Sequence, residues 1–242
     1  MCIRDRFMKL RLTSAVLFAM SFGWGCFAQD LHPLPATADD YISLLQKSGY
    51  DAYAFDIADL ADKRHKITFQ IREYDNGQLV SSNILPWEPT YDNIRYVTDF
   101  SEEARADVDP EKMADPERGI YSMARRLKIG FVPEADSVKT VEMTVENMGS
   151  AYGRLNLKPQ TVRETGKKFY AYVTRPFTTG KIGYGDFTPL VLIGSVWWDE
   201  QFGVHRFCGE NEISPDLSSD IVAHIPHFYV IGACIKAANN DK

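Results

Sequence analysis

The sequence predicts a mainly β fold: an antiparallel β-sandwich or jelly-roll-like body with an N-terminal helix and a short helix near the C-terminus. Three observations predict it. Apolar and polar residues alternate over Val141–Glu146, which is typical of an antiparallel strand with one face in water. Asp75–Gly77 carries the Asn-Gly pair of a tight β-hairpin. Leu190–Trp198 and His227–Ile235 are nearly continuous apolar runs, which indicates central strands buried on both faces.

The N-terminal helix is expected to begin at Thr37. Apolar Tyr41, Leu44 and Leu45 recur at the spacing that places them on one helix face. Gly49 then ends the helix, because glycine readily adopts the backbone conformation found just after a helix C-terminus.

The remaining elements follow from the same kinds of pattern. Further strands are expected, in chain order, over Lys66–Tyr74, Gln78–Ile84, Leu127–Phe131, Leu155–Leu157, Phe169–Thr174 and Val204–Cys208. A charged helix is expected from Ser101, and Ser214 with Pro215 indicates the start of a short helix that runs to His224. Because no segment has the composition of a linker, residues 29–242 are predicted to form a single β-rich domain.

The N-terminus has the layout of an export signal. Residues 1–7 resemble a sequencing-adapter scar, and residues 8–28 are interpreted as a signal peptide. Two basic residues precede the apolar run Leu12–Phe22, and small residues precede a cut after Ala28. The apolar run is too short to span a bilayer, which needs about 20 apolar residues. We therefore expect an exported protein, located in the periplasm, at the cell surface or outside the cell.

A lipoprotein signal is the alternative to this cleavage. It would be cut before Cys26, and the cysteine would then be acylated. Gly23 and Trp24 stand where such a signal has a leucine-like and a small residue, so the match is poor.

Composition argues against two classes of partner. The chain has 27 Lys and Arg against 33 Asp and Glu, a formal net charge of −6, and removing the basic signal makes the remainder more acidic. Such a chain repels phosphate backbones, so we expect no nucleic-acid partner. No segment after the signal is apolar enough to form a transmembrane helix.

Two cysteines remain after cleavage, Cys208 and Cys234. They could form a disulfide in the oxidising environment of an exported protein. The alternative is two buried free thiols, because cysteine packs like a small hydrophobic residue.

The sequence lacks a recognisable metal site or cofactor motif. Asp107, Asp109 and Glu111 have the spacing of EF-hand ligands, but Lys112 and Arg118 replace the required Gly and Glu. Each candidate histidine lies three residues from a second metal-binding side chain. On a strand, this spacing places the two side chains on opposite faces, so they cannot bind the same metal ion. Only His224 and His227, which flank a helix-to-strand junction, could converge. We predict no metal and no cofactor.

Aromatic residues supply the candidate binding site. Trp197 and Trp198 are adjacent on a predicted strand, so one ring is expected in the core and the other on the outer face or under a loop. Tyr184 and Asp199 are expected close by, where they would offer hydrogen bonds to a sugar. The alternative is that these aromatic residues simply fill the sandwich core.

Several segments of the sequence together carry a family resemblance: Arg72–Tyr74, Arg175–Phe177, Phe187–Ser195, Trp197–Asp199, Phe207–Glu212, Pro215–Asp216 and Ile225–Gly232. With these segments, much of the sequence resembles a family of exported all-β proteins of unknown function from gut Bacteroidales. The resemblance implies a location in the Gram-negative envelope or outside the cell. It implies no activity and no site residues.

Three functions remain open at this level. The leading expectation is an exported, non-enzymatic binding or envelope-associated protein, with carbohydrate as the favoured ligand. A glycan-active hydrolase that uses two of the acidic residues in the 199–220 region is the main alternative, since a glycosidase needs two carboxyl groups across a cleft. A structural envelope protein that binds another protein is the third.

Overall fold

The computed structural model describes residue 35 and the ranges 37–178 and 183–238. The predicted adapter scar and signal peptide, residues 1–28, lie outside the described residues, as does Cys26. From Tyr41 onward, the described residues belong to one compact unit. None of the described helices is long and apolar enough to cross a membrane.

Strands make up slightly less than half of the described residues, which also include three short α-helices. The helices are α1 (Ala38–Lys47), α2 (Glu102–Ala106) and α3 (Asp220–His224). The strands, in chain order, are β1 (Asp51–Asp56), β2 (His65–Asp75), β3 (Gln78–Ser81), β4 (Thr90–Asp92), β5 (Ile94–Tyr96), β6 (Ile120–Met123), β7 (Arg126–Ala135), β8 (Val138–Val145), β9 (Gly149–Asn156), β10 (Gln160–Thr161), β11 (Lys168–Phe169), β12 (Tyr172–Pro176), β13 (Phe187–Ser195), β14 (Trp197–Asp199), β15 (Val204–Arg206) and β16 (His227–Ala237).

Two antiparallel sheets form the body of the fold. The four-stranded sheet has the order β1-β7-β8-β9, and the six-stranded sheet has the order β12-β13-β16-β2-β3 with β4 also paired to β2. Inward-facing residues of both sheets form one core, to which β8 contributes Val141 and Met143 and β2 contributes Phe69 and Ile71. This arrangement confirms the prediction of a mainly β, sandwich-like fold.

The six-stranded sheet is covered on both faces. Its outer face packs against a second core, whose buried members are Phe177, Leu192, Trp197, Ile213, Ile221, Val222, Ile225, Phe228 and Val230. In β16, Phe228 and Val230 face this second core while Tyr229 and Ile231 face the sandwich core. A strand that packs against apolar side chains on both of its faces has no alternation of polar and apolar residues. This explains why the central strands are almost uninterrupted apolar runs.

The predicted hairpin after β2 is confirmed. Asn76 and Gly77 both have positive φ, 47° and 75°, as the central residues of a type I′ turn require. Strand β3 pairs back onto β2 but ends at Ser81 instead of reaching Ile84.

Several predicted boundaries are wrong for identifiable reasons. The segment Phe169–Thr174 is two strands, because Lys168–Phe169 pairs with β10 while Tyr172–Pro176 joins β13 in the six-stranded sheet. The apolar run that begins at Leu190 also breaks, since β13 ends at Ser195 and Trp197 pairs with β15 instead of with the six-stranded sheet.

The last predicted helix starts later than expected. Leu217 has φ of 64°, a left-handed conformation that a helix cannot contain. The hydroxyl of Ser219 accepts a hydrogen bond from the amide of Ser214, which holds this turn closed. Helix α3 therefore begins only at Asp220 and is a single short segment. The helix predicted from Ser101 is confirmed, with the Ser101 hydroxyl accepting from the amide of Ala104.

Helix α1 is present but contributes nothing to either core. The apolar face that predicted it is exposed, with 60% of Tyr41, 60% of Leu44 and 50% of Leu45 accessible to solvent. The pattern correctly predicted a helix, but an amphipathic pattern alone does not establish that the apolar face is covered.

Candidate functional site

The two adjacent tryptophans lie in different environments. Trp197 is 8% exposed and belongs to the second core, where the Phe207 and His224 rings pack against it. Trp198 is half-buried on the opposite side of β14, which pairs with β15 as a separate two-stranded ribbon. The pair therefore belongs to this ribbon and not to the long central strand.

The ring of Trp198 is already occupied by protein groups. The guanidinium carbon of Arg163 lies 4.5 Å from the Trp198 ring centroid, a cation–π contact. The His205 ring packs edge-on against the same indole, with 5.0 Å between centroids. Arg163 also forms an ion pair with Glu200, which holds it in place. An indole covered in this way offers a sugar little free surface.

Tyr184 is far from the tryptophans, contrary to the prediction. It forms a bridge with Ile235, and its hydroxyl lies 3.0 Å from Nε2 of His65. Ser195, by contrast, lies beside His227 at the other end of β16. Eight residues of β16 separate the two ends, about 26 Å at the usual strand rise. The prediction failed because β13 runs along the whole sheet before the chain reaches Trp197.

Asp199 is a turn residue. Its Oδ1 accepts hydrogen bonds from the amides of Gln201 and Phe202, at 2.9 and 3.2 Å. Its Oδ2 lies 2.9 Å from the guanidinium of Arg206. With both oxygens engaged, the carboxylate is committed to closing the turn between β14 and β15.

Two other acids of the 199–220 region have lowered pKa values. The pKa of Asp216 is lowered to about 2 by hydrogen bonds from the hydroxyl and amide of Ser218. A hydrogen bond from Arg163 lowers the pKa of Glu200, whereas a glycosidase acid needs a raised pKa. Asp216 precedes helix α3, which begins at Asp220.

The two cysteines are free thiols in the structure, so the disulfide that the sequence allowed is not formed. Cys234 is buried opposite Phe187, at the Tyr184 end of the six-stranded sheet, and burial raises the pKa of its thiol. Cys208 is exposed just after β15, whose Arg206 pairs with Trp197 near the other end. A disulfide requires Cα atoms within about 7 Å of each other.

The histidines at the helix-to-strand junction do not converge on a common site. His224 stacks on Trp197, with 5.6 Å between ring centroids. His227 is buried and hydrogen-bonded to Glu73 and Tyr172. Within residues 37–178 and 183–238, no three ligating side chains are grouped in a way that could hold a metal ion.

A depression lies on the outer face of the four-stranded sheet. We call it the outer groove. It has a volume of about 510 Å³ and is lined by Ala52, Ala54, Arg126, Lys128, Gly130, Glu142, Thr144 and Ser150, with Tyr53 and Ile129 at its edge. Strand register explains its shape: Ala52, Gly130 and Glu142 form one cross-strand row, so two minimal side chains lie beside a long one.

The rim of the outer groove carries an exposed aromatic ring. Tyr152 continues the same cross-strand row beside Glu142 and is 57% exposed. Its hydroxyl donates to Oε1 of Glu142 at 3.1 Å, and the hydroxyl of Thr144 donates to the same oxygen at 3.4 Å. The hydrogen bond to Glu142 and the negative charge of the Glu142 carboxylate both raise the pKa of the Tyr152 phenol. The phenol therefore stays protonated and can act as a donor.

Charged groups also line the outer groove. The amine of Lys128 lies 3.4 Å from Oε1 of Glu146, which draws the lysine toward the end of the sheet. Thr144 and Ser150 share a hydrogen bond of 2.7 Å between their hydroxyls. The arrangement offers carboxylate acceptors, hydroxyls and cationic donors around a floor of Ala52, Ala54 and Gly130.

Sequence reasoning identified part of this surface. The alternation over β8 correctly assigned Glu142, Thr144 and Glu146 to a wet face. The groove itself was missed, because Ala52 and Gly130 lie far apart in the chain and become neighbours only through strand pairing. Tyr152 was missed because a single tyrosine in a polar segment carries no signal of its own.

The chain belongs to the family described as "Domain of unknown function (DUF5041)", which matches residues 26–237. No curated protein and no solved structure matches the chain.

Proposed function

We propose that this protein is an exported, non-enzymatic binding protein whose outer groove takes carbohydrate. The observation that carries the proposal is the exposed ring of Tyr152 beside Glu142, at the rim of an open groove with a floor of small side chains. Its volume of about 510 Å³ lies within the usual range for sites that bind small molecules.

The chemistry of the outer groove fits a sugar. An exposed aromatic ring packs against the apolar C–H face of a pyranose, and oriented polar groups then bind its hydroxyls. The Glu142 carboxylate accepts hydrogen bonds, while Lys128 and Arg126 donate them. The small residues Ala52 and Gly130 leave room for a ring to approach the sheet.

Binding is favoured over glycoside hydrolysis at this groove. Among the residues that line the outer groove, Glu142 is the one carboxylate. A glycosidase needs two carboxyl groups, about 5 to 9.5 Å apart. The basic and apolar N-terminal segment supports export of the protein. Polysaccharide ligands occur outside the cytoplasm.

A glycan array followed by calorimetry tests the proposal. Wild-type protein is expected to bind at least one glycan, and Tyr152→Ala and Glu142→Gln are expected to weaken that binding about tenfold or more. Tyr184→Ala is the matched control, since Tyr184 is 56% exposed but lies on the six-stranded sheet. Failure of the wild type to bind any glycan, or equal losses in Tyr152→Ala and the control, would contradict carbohydrate binding at this groove.

A further inference from the structure

A lysine occupies a core-facing position in the four-stranded sheet. Lys139 lies on the same side of β8 as Val141, Met143 and Val145 and is only 9% exposed. Lysine is almost never this buried without a partner of opposite charge. Its position therefore calls for an explanation beyond packing.

The amine of Lys139 lacks a carboxylate partner. It donates to the backbone carbonyl of Gly49 at 3.1 Å, and among the described residues no carboxylate oxygen lies within 4.0 Å of it. Burial lowers the pKa of Lys139, although the charge of Asp51 partly opposes this. A buried cation with no carboxylate in direct contact is costly, so an anionic group bound here would be stabilised.

This amine opens onto a second depression, which we call the edge cleft. It has a volume of about 300 Å³ and is lined by Gln46, Gly49, Asp51, Tyr53, Lys139, Tyr172, Val173, Thr174 and Arg175. The cleft lies where β1 and β12, the edge strands of the two sheets, meet. The hydroxyl of Tyr53 donates to Oγ1 of Thr174 at 2.8 Å and joins the two sheets there.

A buried polar network fixes the wall of the edge cleft at Tyr172. The carboxylate of Glu73 can only accept, so Nε2 of His227, 3.0 Å away, donates to it. Nδ1 of the neutral His227 ring then accepts from the Tyr172 hydroxyl at 2.6 Å. The same hydroxyl accepts from the amide of Lys158 at 2.9 Å. Tyr172 is thus held rigidly at the cleft.

The edge cleft carries a negative charge as well as a positive one. Asp51 lines it, and its carboxylate forms no ion pair within the described part of the chain. Arg175 also borders the cleft, but its guanidinium lies 5.3 Å from the ring centroid of Phe207, in the second core. Lys139 and Asp51 are therefore two opposite charges on one small cavity, and their charged atoms are not within ion-pair distance of each other.

We propose that the edge cleft binds a free α-amino acid, with its carboxylate on Lys139 and its ammonium group on Asp51. A zwitterion supplies both missing counter-charges at once, whereas a simple anion would meet repulsion from Asp51 and a simple cation would meet repulsion from Lys139. The tyrosine rings of Tyr53 and Tyr172 flank the ligand. This site uses different charged residues from the outer groove, so it does not depend on the carbohydrate proposal.

NMR titration of the isotope-labelled protein tests the inference. The probes are L-leucine, L-glutamate and L-lysine, with N-acetyl-L-leucine and L-leucinamide as analogues that keep only the carboxylate or only the ammonium group. Amide shifts near Gly49 and Thr174 are expected with at least one amino acid, and weaker binding with both capped analogues. Lys139→Met is expected to weaken amino-acid binding about tenfold or more.

Two further variants keep the result interpretable. Lys168→Met, at an exposed strand position, is the matched control and should bind like the wild type. Asp51→Asn should remove the preference for the amino acid over its N-acetyl form, which tests the site even if Lys139→Met does not fold. The inference is overturned if none of the three amino acids shifts these amides, if capped and free leucine bind equally, or if Lys139→Met binds like the control.

Discussion

The hydroxyl of Tyr172 lies 2.6 Å from Nδ1 of His227, and this bond links β12 to β16 at one end of the six-stranded sheet. Nε2 of the same imidazole donates to Glu73 on β2, so a single neutral histidine joins three strands. Tyr229 extends the network, because its hydroxyl lies 3.4 Å from the same Glu73 oxygen and donates to the carbonyl of Asn156, 2.9 Å away on the four-stranded sheet. The polar network therefore connects both layers of the sandwich.

This network makes stability depend on pH. Burial lowers the pKa of His227, with the hydrogen bond to Glu73 opposing the shift, while the unfolded chain has a histidine pKa of about 6.5. The unfolded state therefore binds the proton first as the pH falls, and the free energy of unfolding decreases below about pH 6.5. Urea unfolding between pH 7.5 and pH 5.5 is expected to show this decrease in the wild type and a smaller one in His227→Gln. Parallel curves for the two proteins would contradict the assignment.

The two tryptophans should differ in their effect on stability. Trp197→Ala removes a ring that is 8% exposed in the second core, so we expect a loss of about 3–5 kcal/mol through the cavity left behind. Trp198→Ala removes a half-buried ring from the ribbon and should cost clearly less. Chemical denaturation of both variants measures the difference. Equal losses would show that both rings pack as core residues.

Gly232 lies where two central strands approach closely. A Cβ at this position would lie 2.3 Å from the carbonyl oxygen of Thr188, against backbone that cannot move cheaply. Gly232→Ala is therefore expected to lower the free energy of unfolding by about 1–3 kcal/mol or more, as overpacking does. Gly130→Ala is the matched control, since a Cβ there meets nothing within 4 Å. A thermal melt of each variant checks the contrast, and equal melting temperatures would refute it.

Lys139→Met should preserve or increase stability while removing the proposed ligand site. The amine is buried without a carboxylate partner within the described residues. An apolar side chain of similar length avoids the desolvation cost, and comparable replacements of buried charges gain up to about 4 kcal/mol. Urea unfolding at pH 7 measures the change. A loss of stability of about 2 kcal/mol or more would mean that the bond to Gly49 stabilises the fold more than burial of the charge costs.

The sequence determined the local structure and the fold class of this protein. The β2–β3 turn could be predicted because Asn76 and Gly77 tolerate positive φ, and β13 and β16 could be predicted because both of their faces are apolar. Patterns of this kind act over a few residues and are readable wherever they occur. Some helix and strand boundaries could not be predicted from local patterns. They depend on a residue with left-handed backbone conformation, such as Leu217, or on the point at which a strand leaves its sheet.

Only the tertiary structure decided where side chains meet. It separated Tyr184 from Trp197 by most of the length of a strand, and it placed Ala52 beside Gly130. It also brought Lys139 and Tyr172 to one cleft. These relationships follow from the strand order of the two sheets, in which neighbours come from distant parts of the chain. Strand pairing is selected by the burial of whole faces, so no local pattern of residues encodes it.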